Sequence, residues 1–242
     1  MLIHVVNPNT TATMTAKIAA AVRAVALPET QILATQPAMG PVSIEGWYDE
    51  AFAVPGLLAR IREAPEAAAH VIACFDDTGL DAARSLAEAP VIGIGEAAFH
   101  MASLVAGKFG VITTLARSIP AIEHNLVRYG LASRCARVRA AEVPVLALED
   151  AASGARARID DEIARALRED RAEAIVLGCA GMADLAADLS ARHGVPVVDG
   201  VAAAIVLAEG LARLGLRTAK NGSYAPPLAK PYTGMFAPFA PG

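Results

Sequence analysis

Two of the three cysteines in this chain stand at matched places. Cys74 ends the apolar run Val71-Ile72-Ala73, and Cys179 ends Ile175-Val176-Leu177-Gly178. Each run reads as a buried parallel strand, followed by turn-forming residues and a helical pattern. That arrangement delivers two thiols to helix N-termini, where the dipole and unpaired N–H groups lower a thiol pKa from about 8.5. Two such thiols on opposite faces of one carbon can do proton transfer. One thiolate removes a proton while the opposite thiol supplies one, which is racemisation by two bases, with roles reversed for the other enantiomer. The N–H groups of Phe75 and Asp76, and of Ala180 and Gly181, are placed to hold the enolate oxygen. Cys135, in Ser133-Arg134-Cys135-Ala136-Arg137, has no counterpart and reads as packing.

The two cysteines match because the chain repeats itself. Ala89-Pro90-Val91-Ile92-Gly93 after Cys74 is answered by Val195-Pro196-Val197-Val198-Asp199-Gly200 after Cys179. Upstream, Ile3-His4-Val5-Val6-Asn7 is answered by Phe109-Gly110-Val111-Ile112-Thr113. Asn7 to Cys74 and Thr113 to Cys179 span the same length to within one residue. A pseudo-twofold axis relating the halves would set the two sulfurs face to face across one cleft.

The elements that must position them follow in order. Strands are expected at 2–6, 31–35, 70–74 and 91–94 in the first copy, with helices at 12–25, 51–63, 80–88 and 97–106. In the second copy strands fall at 109–113, 138–141, 174–178 and 197–199, with helices at 118–129, 151–169, 183–191 and 201–214. The segments at 31–35 and 138–141 are expected at sheet edges. Asp76 and Asp77 read as dipole-favoured caps of the helix at 80–88. The loop 38–50 carries the lone tryptophan, Trp47, at the strand end where open α/β sheets place ligands; a rigid turn with one packed aromatic is the alternative. The expected fold is α/β, two pseudo-twofold-related lobes, each a four-stranded parallel sheet flanked by helices. Residues 1–95 with 206–242 would form the lobe of Cys74, and 96–205 the lobe of Cys179.

Composition narrows the function classes. The 242 residues are 55% hydrophobic and 19% charged, with a net charge of −4, which gives material for one large α/β domain or two small lobes. Mild acidity without a basic cluster excludes a nucleic-acid surface. No signal peptide and no long uncharged apolar run is visible, so neither export nor a membrane span is expected. An odd cysteine count then suggests free thiols in a cytoplasmic chain. The tail 221–242 holds five prolines and four of the eleven aromatic rings, and is expected to dock on its own lobe or on a neighbouring subunit of a homo-oligomer.

Two other motifs carry less. Gly93-Ile94-Gly95-Glu96-Ala97-Ala98 fits the dinucleotide pattern G-x-G-x-x-A. The ribose-binding acid due about 20 residues later is missing, since the next strand ends Ile112-Thr113-Thr114, so a nicotinamide cofactor is rejected. No Cys-x-x-Cys or His-x-x-x-His spacing supports a metal. His70, His100, His124 and His193 read as surface or packing residues, with His100 the one to test.

Taken together, Asn7-Pro8-Asn9-Thr10, Gly40-Pro41-Val42-Ser43-Ile44-Glu45-Gly46, Ala73-Cys74-Phe75-Asp76-Asp77, Val111-Ile112-Thr113-Thr114 and Leu177-Gly178-Cys179-Ala180-Gly181-Met182 resemble the hydantoin and allantoin racemase family, within the aspartate/glutamate racemase superfamily. The resemblance runs from Leu2 to about Tyr232. It implies flavodoxin-like lobes, no cofactor, and Cys74 and Cys179 as the acid/base pair. It also implies substrate contacts from Asn9, from Pro41 and Ser43, from Thr113 and Thr114, and from Phe75, Ala180 and Gly181.

Substrate class follows from what flanks the thiols. Amino-acid racemases of the superfamily have polar Asn or Thr partners after their cysteines; here stand Phe75 and Ala180. No lysine or arginine lies in these motifs to pair a carboxylate. A neutral cyclic ureide, a 5-monosubstituted hydantoin or allantoin, is the expected small-molecule substrate, with Trp47, Tyr48, Phe75 and Phe99 around its substituent. The alternatives are an acidic amino-acid racemase, a related decarboxylase that would need only one cysteine, and a non-catalytic small-molecule binding protein.

Overall fold

The computed structural model describes residues 1–150 and 152–241. Its first sheet is built from β1 (Leu2–Val6), β2 (Gln31–Thr35), β3 (Ala69–Ile72) and β4 (Val91–Gly93), in the order β2-β1-β3-β4. Its second contains β5 (Phe109–Thr113), β6 (Cys135–Ala140), β7 (Ala174–Gly178) and β8 (Val197–Asp199), in the order β6-β5-β7-β8. Every pairing is parallel. The two sheets are the same topology written twice. Central strands β3, β5 and β7 are buried along their whole length, which is why they read as unbroken apolar runs.

Eight helices cover the sheets: α1 (Ala12–Val25), α2 (Trp47–Arg62), α3 (Leu80–Leu86), α4 (Ile94–Val105), α5 (Ile119–Arg128), α6 (Ala155–Glu169), α7 (Ala186–His193) and α8 (Gly200–Arg213). α6 buries Ala155, Ile159, Ile163 and Ala166, a stripe repeating every three to four residues, and leaves its charged face to solvent. The largest core cluster is shared by both sheets: Ile3, Val5 and Val71 from one, Phe109, Val111 and Val176 from the other, with Phe99 of α4 and Ile205 of α8 between them. α4 packs against β7 and α8 against β3, so each half lends a helix to the other. Gly200 lets the two helix starts meet, since a Cβ there would lie 2.5 Å from the Ile94 carbonyl oxygen.

Several boundaries differ from the sequence reading for physical reasons. α2 starts at Trp47, so Trp47 sits in a helix rather than a loop; Asp49 and Glu50 fill its first turn, and the Asp49 carboxylate accepts the Glu45 N–H at 2.9 Å. α3 is seven residues long, starts at Leu80, and has no side-chain cap. The helix expected from 151 begins at Ala155 after left-handed Gly154, and residue 151 lies outside the described residues. After Cys179 the chain takes a 3₁₀ path over Ala180–Leu185 before α7 begins. The chain just before the 221–242 tail, and Tyr224 within it, bond the first lobe, while most of the tail itself is exposed. Thr218 bonds the backbone of Glu88 and Ala89, Lys220 reaches the carbonyls of Arg84 and Ser85, and Tyr224 donates to Asp81 at 3.0 Å. Among the described residues no helix is long and apolar enough to cross a membrane.

Candidate active site

β3 and β7 are corresponding strands, and Cys74, two residues past the end of β3, and Cys179, one past the end of β7, line the same cavity. The cavity measures about 40 Å³, the room of a few waters. Both cysteines are half-buried free thiols. The chain after each makes the same turn: the Asp77 N–H reaches the Cys74 carbonyl at 3.0 Å, and the Met182 N–H reaches the Cys179 carbonyl at 3.0 Å. In each turn the N–H two residues after the cysteine, of Asp76 or of Gly181, faces the sulfur and favours its thiolate.

The sequence reading expected helix dipoles to lower both thiol pKa values, and the structure reverses this. Burial pushes the Cys179 thiol up to about 11 against help from the Gly181 N–H and the Lys17 ammonium. Burial, then the adjacent Asp76 carboxyl, pushes Cys74 well above its ordinary value, opposed by the Thr78 hydroxyl at 3.4 Å. The reason is local geometry. Neither cysteine opens an α-helix: Cys74 precedes a turn and a short helix six residues on, and Cys179 precedes a 3₁₀ segment. Desolvation therefore outweighs the few N–H groups that reach each sulfur. Burial thus favours the thiol form of both.

Of the residues picked from sequence, Asn9, Phe75, Thr113, Thr114 and Ala180 line the cavity with the two cysteines. Asn9 is held by its carboxamide oxygen, which accepts from Asn7 and from the Thr11 N–H, while its amide nitrogen finds only the Met14 sulfur at 3.2 Å. A thioether is a weak acceptor, so that donor is available to a substrate carbonyl. The Thr113 hydroxyl donates to the Gly178 carbonyl. Pro41 and Ser43 stand outside the cavity. The Pro41 and Val42 carbonyls accept from Thr10 and Thr11, tying this loop to the Asn9 loop, and Ile44 is the residue that enters. Gly181 contributes its N–H to Cys179 rather than a wall.

Sequence reasoning missed Met14, Ile44, Ser118, Val145 and the Asp76 carboxyl as wall residues. Of these only Asp76 had a signal, because it follows the cysteine by two. Asp77 is a cap, but of α4 and not α3: its carboxylate accepts the N–H of Gly95 at 2.9 Å and of Glu96 at 2.8 Å, and the Tyr129 hydroxyl at 2.7 Å. This explains the glycine pattern at 93–98. A Cβ on Gly93 would lie 2.1 Å from the Asp77 carboxylate, and one on Gly95 would lie 2.3 Å from the Phe75 carbonyl oxygen. The glycines admit a protein carboxylate, not a pyrophosphate.

The remaining expectations sort by position. Phe99 is fully buried behind Phe75, ring edge to face at 5.3 Å, and Tyr48 is exposed, so neither lines the cavity. His100 is exposed on α4 and away from the cysteines. Cys135 opens the edge strand β6, its thiol pushed up to about 12 by burial. His70 is buried and meets His4, Nδ1 to Nδ1, at 3.2 Å inside the first sheet. Among the described residues no lysine, arginine or histidine lines the cysteine cavity.

Comparison with known proteins places these features among relatives. The family described as Asp/Glu/Hydantoin racemase matches residues 3–208. A hydantoin racemase of Rhizobium meliloti is 49% identical over 97% of this chain and 98% of its own. The structure of an allantoin racemase from Klebsiella pneumoniae superposes with a TM-score of 0.97 at 49% identity, covering 100% of both chains. An allantoin racemase from Pseudomonas fluorescens superposes at 0.93 with 42% identity, over 97% of this chain and 100% of that one.

Proposed function

The chain belongs to the Asp/Glu/Hydantoin racemase family, and from that premise we propose that it inverts carbon 5 of a cyclic ureide, a 5-monosubstituted hydantoin or allantoin, by passing protons between Cys74 and Cys179. The supporting observation is the pair itself: two thiols at the ends of corresponding strands, opening on one small cavity. The thiolate of one cysteine takes the C5 proton. The C–H electron pair moves into the adjacent carbonyl to give an enolate, and the S–H of the other cysteine returns a proton to the opposite face. Nothing is consumed, and the two sulfurs exchange protonation states at each turnover.

The cavity wall favours a neutral substrate. A free amino acid would bring a carboxylate to a wall with no cation and with the Asp76 carboxyl already present. A ureide ring brings carbonyl acceptors for the Asn9 amide and N–H donors for the Thr113 and Thr114 hydroxyls. Burial favours the thiol form of both sulfurs, so one of the two must first release its proton to solvent. The cycle then runs with one thiolate and one thiol, and activity should rise with pH as that form becomes more populated.

Polarimetry on single enantiomers tests the activity, and solvent exchange tests the mechanism. Wild type should racemise allantoin or a 5-substituted hydantoin faster than aspartate or glutamate. Cys74→Ser and Cys179→Ser should each lose racemisation by about 10²–10⁴-fold or more, since a serine hydroxyl cannot supply its conjugate base at pH 7. Each variant should still exchange the C5 hydrogen with deuterated water for one enantiomer only, with opposite preferences. Full activity in either variant rules out the two-base reading.

A further inference from the structure

A second cavity, about 220 Å³, opens beside the first and shares one wall residue with it, Asp76. Four acidic residues line this second space: Glu50, Asp76, Asp77 and Asp81. Two of them are engaged. Asp77 caps α4 and accepts from Tyr129, and Asp81 is paired with Arg128 and bonded by Tyr224. The other two are not. Asp76 is only 9% exposed, yet among the described residues no group hydrogen-bonds its carboxyl; only its backbone carbonyl is used, by Asn125 at 2.8 Å. The Glu50 Oε1 is buried with no partner.

Buried acceptors without donors are costly, and a ligand that brings N–H groups to them recovers that cost on binding. Burial pushes Asp76 up to about 8 and Glu50 up to about 7, as unpartnered carboxyls should be. The aromatic wall expected around the substituent is reduced here to Trp47, which is itself largely exposed. An apolar substituent entering this space would displace water and leave both carboxyls unpaired.

We propose that the second cavity is the subsite for the substituent on C5, and that Asp76 and Glu50 select substituents bearing N–H donors, a ureido group above all, over apolar ones. The inference rests on the cyclic-ureide reading above. Asp76 stands between ring and substituent, while Glu50 lines only the second cavity and is the specificity-determining residue. Its charge still reaches Cys74 and Asp76, so its effect is read as a ratio between two substrates rather than as a rate.

The test compares kcat/KM for allantoin and for 5-isobutylhydantoin within each protein, so that the fraction folded cancels from the ratio. Wild type should favour allantoin. Glu50→Leu should lower the allantoin-to-isobutylhydantoin ratio roughly 10- to 100-fold, the range of hydrogen bonds to charged groups. Glu50→Gln, which keeps a carbonyl acceptor, should retain most of the ratio. A ratio unmoved by Glu50→Leu, or a wild type that favours the isobutyl compound, overturns the subsite while leaving the racemase reading intact. A wild type that racemises neither compound overturns both.

Discussion

In the first lobe β3 leads through Ala73 to Cys74 and on into Phe75, Asp76, Asp77 and Thr78; in the second, β7 leads directly to Cys179 and on into Ala180, Gly181, Met182 and Ala183. The backbone does the same thing twice, closing an i to i+3 turn and aiming the i+2 N–H at sulfur. The side chains do different things. On the Cys74 side two carboxyls are brought in, one lining the cavity and one capping a helix. On the Cys179 side the four residues after the cysteine carry none, and the nearby ammonium of Lys17 comes from the other lobe. Under the proposed two-base mechanism, the duplicated scaffold supplies two equivalent proton carriers. The divergent residues around them let one face of the substrate be read differently from the other.

The caps of α4 and α8 give the sharpest form of this comparison. In lobe two Asp199 ends β8 and caps its own helix, accepting the N–H of Val201 and of Ala202 at 2.9 Å each. In lobe one Gly93 occupies the matching place with nearly the same backbone, φ −84° and ψ 143° against φ −89° and ψ 127°. Glycine is therefore there for room, not for conformation. Asp77 fills that room from the cysteine loop. Gly93→Asp should be the most damaging change considered, destabilising by about 3–5 kcal/mol because two carboxylates would contend for one site. Asp77→Ala should cost about 2–4 kcal/mol through two lost cap bonds and an orphaned Tyr129 hydroxyl. The double change Gly93→Asp with Asp77→Ala rebuilds the lobe-two arrangement and should recover at least half of either loss in urea denaturation. Additive losses would mean the two caps are not equivalent.

The sheets differ at one matched register. His4 pairs with His70 across β1 and β3, where Gly110 pairs with Ile175 across β5 and β7. One imidazole donates and the other accepts, so at least the accepting ring must be neutral, and the contact fails when both are protonated. Burial first, then the facing ring, holds His4 down to about 4, and burial holds His70 down to about 4. The sign follows: the folded state binds fewer protons than the unfolded chain, so this stability is complete above pH 6.5 and is lost as pH falls toward 4. The pair should account for a loss on the order of 5 kcal/mol over that window. His70→Ile, copying lobe two, should make the acid limb of a stability-against-pH curve markedly shallower between pH 6.5 and 4. An unchanged slope would place the acid sensitivity elsewhere.

Much of this was legible before any coordinates. The internal echo gave both sheets and the matched cysteines, because a parallel strand buried on both faces leaves an unmistakable apolar run. Asn9, Thr113 and Thr114 were singled out through the family resemblance, from motifs at the ends of β1 and β5. Asp76 and Asp77 were not, because a carboxylate after a strand carries the same signal whether it caps the next helix, a distant one, or nothing. The thiol pKa values were misjudged for a related reason. Sequence locates a helix N-terminus to within a few residues, while the dipole acts only within the first turn, and 3₁₀ winding after Cys179 moves that turn away. The His4–His70 contact was hidden because two residues far apart in the chain announce nothing singly. The wall from Met14, Ile44 and Val145 depends on how two loops lean together, which no local pattern records.

The smallest expected effect separates the two thiols themselves. Lys17 lies on α1 of the first lobe, yet its ammonium donates to the Gly181 carbonyl at 2.8 Å and pairs with Asp184 at 3.0 Å, across the cleft. It is the one cation that lowers the Cys179 thiol, and it acts on the turn whose N–H faces that sulfur. Cys74 has no such neighbour; its near charges are carboxyls. Lys17→Met should raise the Cys179 pKa by roughly half to one unit and slow its alkylation by iodoacetamide about three- to tenfold at pH 8.5. Alkylation of Cys74, followed by mass spectrometry in the same sample, should change by less than about twofold. Racemisation has an equilibrium constant of one, so kcat/KM must fall equally in both directions and cannot by itself assign the effect to a lobe. In wild type the Cys179 rate should still be climbing at pH 9.5, since burial holds that thiol at about 11. Equal slowing of both cysteines would show that Lys17 acts by holding the cleft together rather than by its charge on one sulfur.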